Sequence, residues 1–117
     1  MESKRQLQVA EIIRRNLGIV LQQEGSYIYG DEPLVTVTNI KTTPDLSLAK
    51  IYLSVYNIED KQSVILLLKQ QHHHIKQALV QRIKKHVRRI PQLEFYLDDT
   101  LDEMYKLNHL FDKLNKK

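Results

Sequence analysis

VTVTNIKTTPDLSLAKIYLSVY, residues 35–56, contains two segments of alternating polarity separated by a turn signal. LVTVTNI, residues 34–40, is rich in β-branched residues and alternates in polarity, which predicts a strand. Thr43, Pro44 and Asp45 predict a turn. AKIYLSVY, residues 49–56, then alternates again and predicts a second strand with one buried face. The stretch therefore predicts two adjacent antiparallel strands.

A helix is predicted before this pair of strands, over residues 4–23. Its apolar residues recur at spacings of three and four and are Val9, Ile13, Leu17 and Val20. Gly25, Gly30 and Pro33 predict a loop between this helix and the first strand.

Two helices, a strand and a last helix are predicted after the pair. Asp60 is a helix cap before SVILLLKQQ, residues 63–71. The next helix has apolar residues at steps of four, Ile75, Leu79, Ile83 and Val87, and ends at Pro91. LEFYL, residues 93–97, is a third strand, and Thr100 with Glu103 forms a capping box that opens a final helix. The order is α-β-β-α-α-β-α in a single domain, residues 1–117.

The charge of the chain is unevenly distributed. Residues 69–89 contain seven Lys and Arg, four His and no Asp or Glu. Since the whole chain carries a net charge of +4, the remainder is net negative. A solvated helix face is the ordinary explanation of a charge run, but a run this free of acids favours a polyanionic partner such as nucleic acid.

Other classes of function have weak support. His72, His73 and His74 are adjacent, so on a helix they point about 100° apart and cannot converge on one metal ion. Phosphate-binding glycine loops, nucleophile elbows and cysteine are absent from the sequence, and the acid pairs at 59–60 and 98–99 fit caps and turns. We therefore expect no catalytic residue, metal, cofactor or small-molecule substrate. The N-terminus has no continuous apolar stretch, so we expect neither a signal peptide nor a membrane span.

The chain resembles the ribosome-binding factor A family. The resemblance rests on the Arg-rich first helix, on residues 35–56 and on RRIPQLEFYLDDTLD, residues 88–102. It implies an α+β fold of type II KH-like topology, with a kink between the middle helices and a three-stranded sheet carrying helices on one face. The sequence departs from the family at the kink, where residues 71–74, QHHH, contain no glycine, so a backbone phosphate clamp is not expected.

The resemblance also implies the function. It implies a cytoplasmic bacterial assembly factor that binds 16S rRNA in the free, immature 30S subunit and assists late maturation, including 5′-end processing, with most effect at low temperature. We expect a monomer. The predicted phosphate-contacting side chains lie on the second middle helix, with two more on the first helix; they are Lys76, Arg82, Lys84, Lys85, His86, Arg88, Arg89, Arg14 and Arg15.

Two alternatives remain open at this point. The first is a KH-like protein that binds another structured RNA. The second is a protein-interaction module that uses the open face of the sheet, where Tyr52, Tyr56 and Tyr96 are expected to project and could stack on bases or pack on a partner.

Overall fold

A computed structural model describes residues 2–98 of the chain. Its elements are α1 (Lys4–Tyr29), β1 (Leu34–Thr42), β2 (Leu48–Tyr56), α2 (Lys61–Gln70), α3 (His72–Ile83) and β3 (Gln92–Leu97). The order of these six elements confirms the prediction. The final predicted helix, which would begin near Thr100, lies outside the described residues. No helix within residues 2–98 combines the length and the apolar character that crossing a membrane requires.

The sheet has three strands in the order β1-β2-β3. β1 pairs antiparallel with β2 through a short turn, with an irregularity in register between Val37 and Asn39. β3 pairs parallel to β2, so its chain must return across the molecule before it enters the sheet. Both β1 and β3 are therefore edge strands of the described sheet.

One face of the sheet carries the hydrophobic core. Alternate residues of β2 (Ala49, Ile51, Leu53 and Val55) are almost completely buried, and Phe95 of β3 lies beside them. α1 packs on β1, α2 packs on β2 and β3, and α3 packs against the other two helices. The alternation of side chains places Lys50, Tyr52, Ser54 and Tyr56 on the opposite face, where Lys50 and Tyr56 are exposed and Ser54 is buried.

The prediction that α1 ends at Gln23 is wrong, because the helix continues to Tyr29. The sequence predicts a loop at Gly25, but Gly25 is a buried helical residue against which the ring of Tyr29 lies. The packing of Ile28 and Tyr29 on the core outweighs the low helix propensity of a single glycine, which costs about 1 kcal/mol. The helix ends at Gly30, whose φ of 86° suits a glycine.

The first turn of α1 is tied to the sheet. Ser3 caps the helix by accepting from the backbone of Gln6, and the side chain of Gln6 accepts from the Ser3 N–H in return. The Gln6 amide also donates to the Thr42 carbonyl at 2.9 Å, although these residues are 36 positions apart. The cap therefore fixes where α1 begins relative to the end of β1.

Candidate nucleic-acid interface

Half of the predicted Lys and Arg side chains lie on a loop and not on a helix. α3 was expected to run to Pro91, but it ends at Ile83. The Ile83 carbonyl accepts from the backbone N–H groups of His86 and Val87, at 2.8 and 2.9 Å, which closes a tight turn. The prediction that Lys84, Lys85, His86, Arg88 and Arg89 lie on the helix is therefore wrong; they belong to the α3–β3 loop, residues 84–91.

The helix ends early for two physical reasons. Ile90 precedes Pro91, and a residue before proline is biased toward extended backbone, so a helix reaching Pro91 is disfavoured. The chain must also turn back so that Gln92 can donate to the Ser47 carbonyl at 2.9 Å and start β3 beside β2. The loop provides this reversal.

Buried apolar residues hold the α3–β3 loop against the core. Val87 is 3% exposed, Pro91 is buried, and Ile90 packs against the core cluster. Lys84, Lys85 and His86 before Val87, and Arg88 and Arg89 after it, are all exposed. Val87, Ile90 and Pro91 thus set the position of the loop, while its charged side chains remain in solvent.

The charges of the loop have no acidic partner in the described part of the chain, residues 2–98. Within residues 2–98, Lys84, Lys85, Arg88 and Arg89 have no carboxylate within 4 Å. A cluster of four such cations on one short loop repels itself and attracts an anion from solution. Phosphate oxygens, repeated along a nucleic-acid backbone, are ligands that can neutralise several of these groups at once.

Arg82 and Lys76 lie on different flanks of α3. Arg82 is exposed on the flank toward α1, where its Nε donates to the Asn16 side-chain oxygen at 3.2 Å. Lys76 is partly buried and borders a shallow concavity with His73 and Gln77. Six residues along a helix correspond to about 120° of rotation, so the structure does not bring Lys76 and Arg82 into one line.

Arg14 and Arg15 differ from the loop cations because they share an acid. Arg14 makes two hydrogen bonds with Glu11, at 2.6 and 3.0 Å, and Arg15 lies 3.7 Å from the same carboxylate. The Arg14 hydrogen bond is the main cause that holds the pKa of Glu11 below its usual value. Glu11 therefore already neutralises part of the charge of Arg14 and Arg15 on α1.

The kink between α2 and α3 forms without glycine. Gln71 adopts φ −99° and ψ 20°, a backbone conformation open to ordinary residues, and its N–H still donates to the Leu67 carbonyl. The three histidines that follow diverge. His72 contacts the ring of His73 edge-on, whereas His74 bonds to Glu24 of α1 at 3.3 Å. Within residues 2–98, no three acidic, His or Cys side chains cluster in a way that could hold a metal ion.

Sequence reasoning missed two features of the open sheet face. The rings of Tyr52 and Tyr96 stack with centroids 5.6 Å apart and an angle of 26°. Lys41 and Lys50 stand directly opposite each other on β1 and β2. The signal for the second feature was present, because the position of the Thr43–Asp45 turn determines which residues of the two strands pair.

Comparison with known proteins identifies the family. The family model described as "Ribosome-binding factor A" matches residues 5–111. The chain belongs to the ribosome-binding factor A family. The family member of Cytophaga hutchinsonii is 37% identical over 116 residues, covering 99% of this chain and 84% of that protein. The member of Chlorobium chlorochromatii is 33% identical over 115 residues, covering 97% and 90%.

Solved structures of ribosome-binding factor A share the fold. The crystal structure of the factor from Thermus thermophilus has a TM-score of 0.66 at 21% identity, covering 79% of this chain and 94% of that chain. A Thermus thermophilus model fitted into a cryo-EM map of a 30S complex with this factor has a TM-score of 0.58 at 24% identity, covering 74% and 88%. The predicted α+β, type II KH-like fold is confirmed.

Proposed function

We propose that this protein binds 16S rRNA in the free, immature 30S subunit and assists a late step of its maturation, including processing of the 5′ end. Membership of the ribosome-binding factor A family supports this proposal, as does the 30S complex known for a Thermus thermophilus relative. The observation that carries it here is the α3–β3 loop, with four exposed cations that lack acidic partners among residues 2–98.

The proposed mechanism is selective binding of one rRNA conformation. A protein without a catalytic step can change an RNA only by binding one of its conformers more tightly than another. The α3–β3 loop is anchored by Val87 and Pro91, so the backbone positions of its cations are fixed relative to the fold. An rRNA conformer whose phosphates match that position gains the most from contact, and its population rises. The protein would act in the cytoplasm as a monomer.

The proposed contacts differ in strength. Lys84, Lys85, Arg88 and Arg89 are the main phosphate ligands, and His86 lies between them as a secondary contact. Arg82 extends this set toward α1, and Lys76 contributes from the other flank of α3. Arg14 and Arg15 are the weakest candidates because Glu11 already competes for them.

Charge reversal tests the assignment of the surface. The double variant Arg82→Glu and Lys85→Glu should bind small subunits much more weakly, and the salt dependence should flatten by about one unit of slope per lost phosphate contact. A matched control reverses Lys4 and Arg5, two exposed cations in the first turn of α1. Unchanged affinity and slope in the first variant would show that this surface does not bind the subunit.

Crosslinking tests whether 16S rRNA in the free small subunit is the binding target. The full chain crosslinked to free small subunits should give adducts at a limited set of 16S rRNA positions, mapped by primer extension. Sedimentation with free 30S subunits in preference to whole ribosomes is expected of an assembly factor. Association with another structured RNA, or an association that survives nuclease, would instead support one of the two alternatives.

A further inference from the structure

The open sheet face carries two neighbouring rows of polar and aromatic side chains. Strand register places Asn39, Tyr52 and Tyr96 side by side across β1, β2 and β3. The next row toward the β1–β2 turn contains Lys41, Lys50 and Glu94. Residues two apart on a strand are separated by about 7 Å, so the two rows form one continuous patch.

The aromatic row has a surface suited to a flat ligand. Tyr52 and Tyr96 stack on each other, and Tyr96 is 38% exposed on an edge strand. The Tyr96 hydroxyl donates to Glu94 at 2.7 Å, which fixes the orientation of its ring. The oxygen of the exposed Asn39 side chain accepts from Ile40 N–H, and within residues 2–98 its amide nitrogen donates to no other group.

The cationic row is unfavourable for the isolated protein. Lys41 and Lys50 are exposed and directly opposed on antiparallel strands, and like charges in that position destabilise a sheet. Within residues 2–98 neither lysine has a carboxylate within 4 Å. Glu94 stands beside Lys50 on β3 and accepts from the Tyr96 hydroxyl. An anion bound between the two ammonium groups would remove this repulsion.

We propose that this face is a second RNA-binding site, which takes an unpaired segment of single-stranded RNA. One base stacks on the Tyr52–Tyr96 pair, Asn39 donates to the edge of a base, and Lys41 with Lys50 holds the adjacent phosphate. Stacking on aromatic rings beside cations is the general mode of single-strand recognition. The site is separate from the α3–β3 loop and does not depend on the function proposed for it.

The chemistry favours RNA over a protein partner. Lysine is depleted from the buried centres of protein interfaces, because its ammonium group must lose its hydration there. Two opposed lysines beside the aromatic pair would both need acidic partners at fixed positions. A single phosphate bridging them satisfies both, and the attached base covers the exposed ring of Tyr96.

Binding of a fluorescein-labelled decauridine RNA to the full chain tests the stacking surface. Tyr52→Leu and Tyr96→Leu should each weaken binding by roughly tenfold, because each removes a stacking ring. Tyr52→Phe keeps the ring and should retain the affinity of the natural protein. Tyr27→Leu is the matched control, since Tyr27 is 86% exposed on α1 and should contribute nothing. Equal affinity of the Leu variants and the natural protein would overturn the proposal.

Crosslinking of the unaltered protein provides a second readout that does not depend on a variant folding. A decamer containing 4-thiouridine should crosslink to peptides from β2 and β3, and Lys41→Gln with Lys50→Gln should reduce the yield. Neutralising Lys85 and Arg88 should leave these adducts in place, which separates this site from the 30S contact. Adducts confined to the α3–β3 loop, or capture of a protein by this face without RNA adducts there, would overturn the proposal.

Discussion

Asp45 forms the tip of the β1–β2 turn and accepts three hydrogen bonds from its neighbours. Thr43 Oγ1 and Ser47 Oγ each donate at 2.8 Å, and the Ser47 N–H donates at 3.1 Å. These bonds, that of Thr43 above all, lower the pKa of Asp45 from 3.8 to about 2. The charged form of this carboxylate therefore stabilises the turn that sets the register of the whole sheet.

The stability of the fold should depend on the ionisation of Asp45. The pKa is depressed in the folded state, so between about pH 2 and pH 4 the unfolded chain binds more protons and stability rises with pH. Asp45→Ala should be less stable than the natural protein at pH 7, and the difference should shrink as the pH falls through this window. Urea unfolding at a series of pH values measures this. A constant difference from pH 7 to pH 2 would show that the charge of Asp45 is not responsible.

Arg14 offers a comparison between a paired and an unpaired cation. Because Glu11 already binds Arg14, replacing Arg14 with Gln should reduce the affinity for small subunits less than Lys85→Gln does. Removing the acid through Glu11→Gln should instead raise the affinity, since Arg14 and Arg15 become available to phosphate. Competition binding with labelled natural protein measures all three variants. A larger loss for Arg14→Gln than for Lys85→Gln would contradict the ranking of the contacts.

At the scale of the elements, the sequence predicted the type of each described element better than its ends. The strands and α2 begin and end within about two residues of the predicted positions because alternation and the Asp60 cap are local signals. The end of α3 was missed because Val87 satisfies the apolar spacing equally well from a helix or from a turn. The end of α1 was missed because the contact between Gly25 and Tyr29 exists only once the helix has formed.

The packing of α3 against the core can be tested with one substitution made at two sites. Leu79 is completely buried, whereas Leu66 on α2 is 56% exposed. Leu79→Ala should lower the free energy of unfolding by about 2–5 kcal/mol, and Leu66→Ala should change it by less than about 0.5 kcal/mol. Urea denaturation followed by circular dichroism measures both. Similar losses at the two sites would mean that α3 is not held by its buried residues.

Across the whole molecule, the number of charges could be predicted from the sequence, but the positions of the charged side chains in space could not. The sequence shows that residues 69–89 contain no acid. Only the fold shows how the cations of this stretch are distributed among α2, α3 and the α3–β3 loop. Lys69 lies near the end of α2, Lys76 and Arg82 occupy different flanks of α3, and the remaining cations lie on the α3–β3 loop. The cations that cluster in space, those of the α3–β3 loop, are therefore fewer than the cations of residues 69–89. The buried residues Val87 and Pro91 hold that loop in place.

We propose that the four loop cations, Lys84, Lys85, Arg88 and Arg89, bind rRNA phosphates in the small subunit. The most direct measurement is the dependence of 30S affinity on salt concentration for the natural protein and for the variant with all four residues replaced by Gln. The variant should lose most of its affinity at low salt, and its log–log slope should fall by about one unit for each phosphate contact removed. The same slope and affinity in both proteins, with folding intact, would contradict the claim.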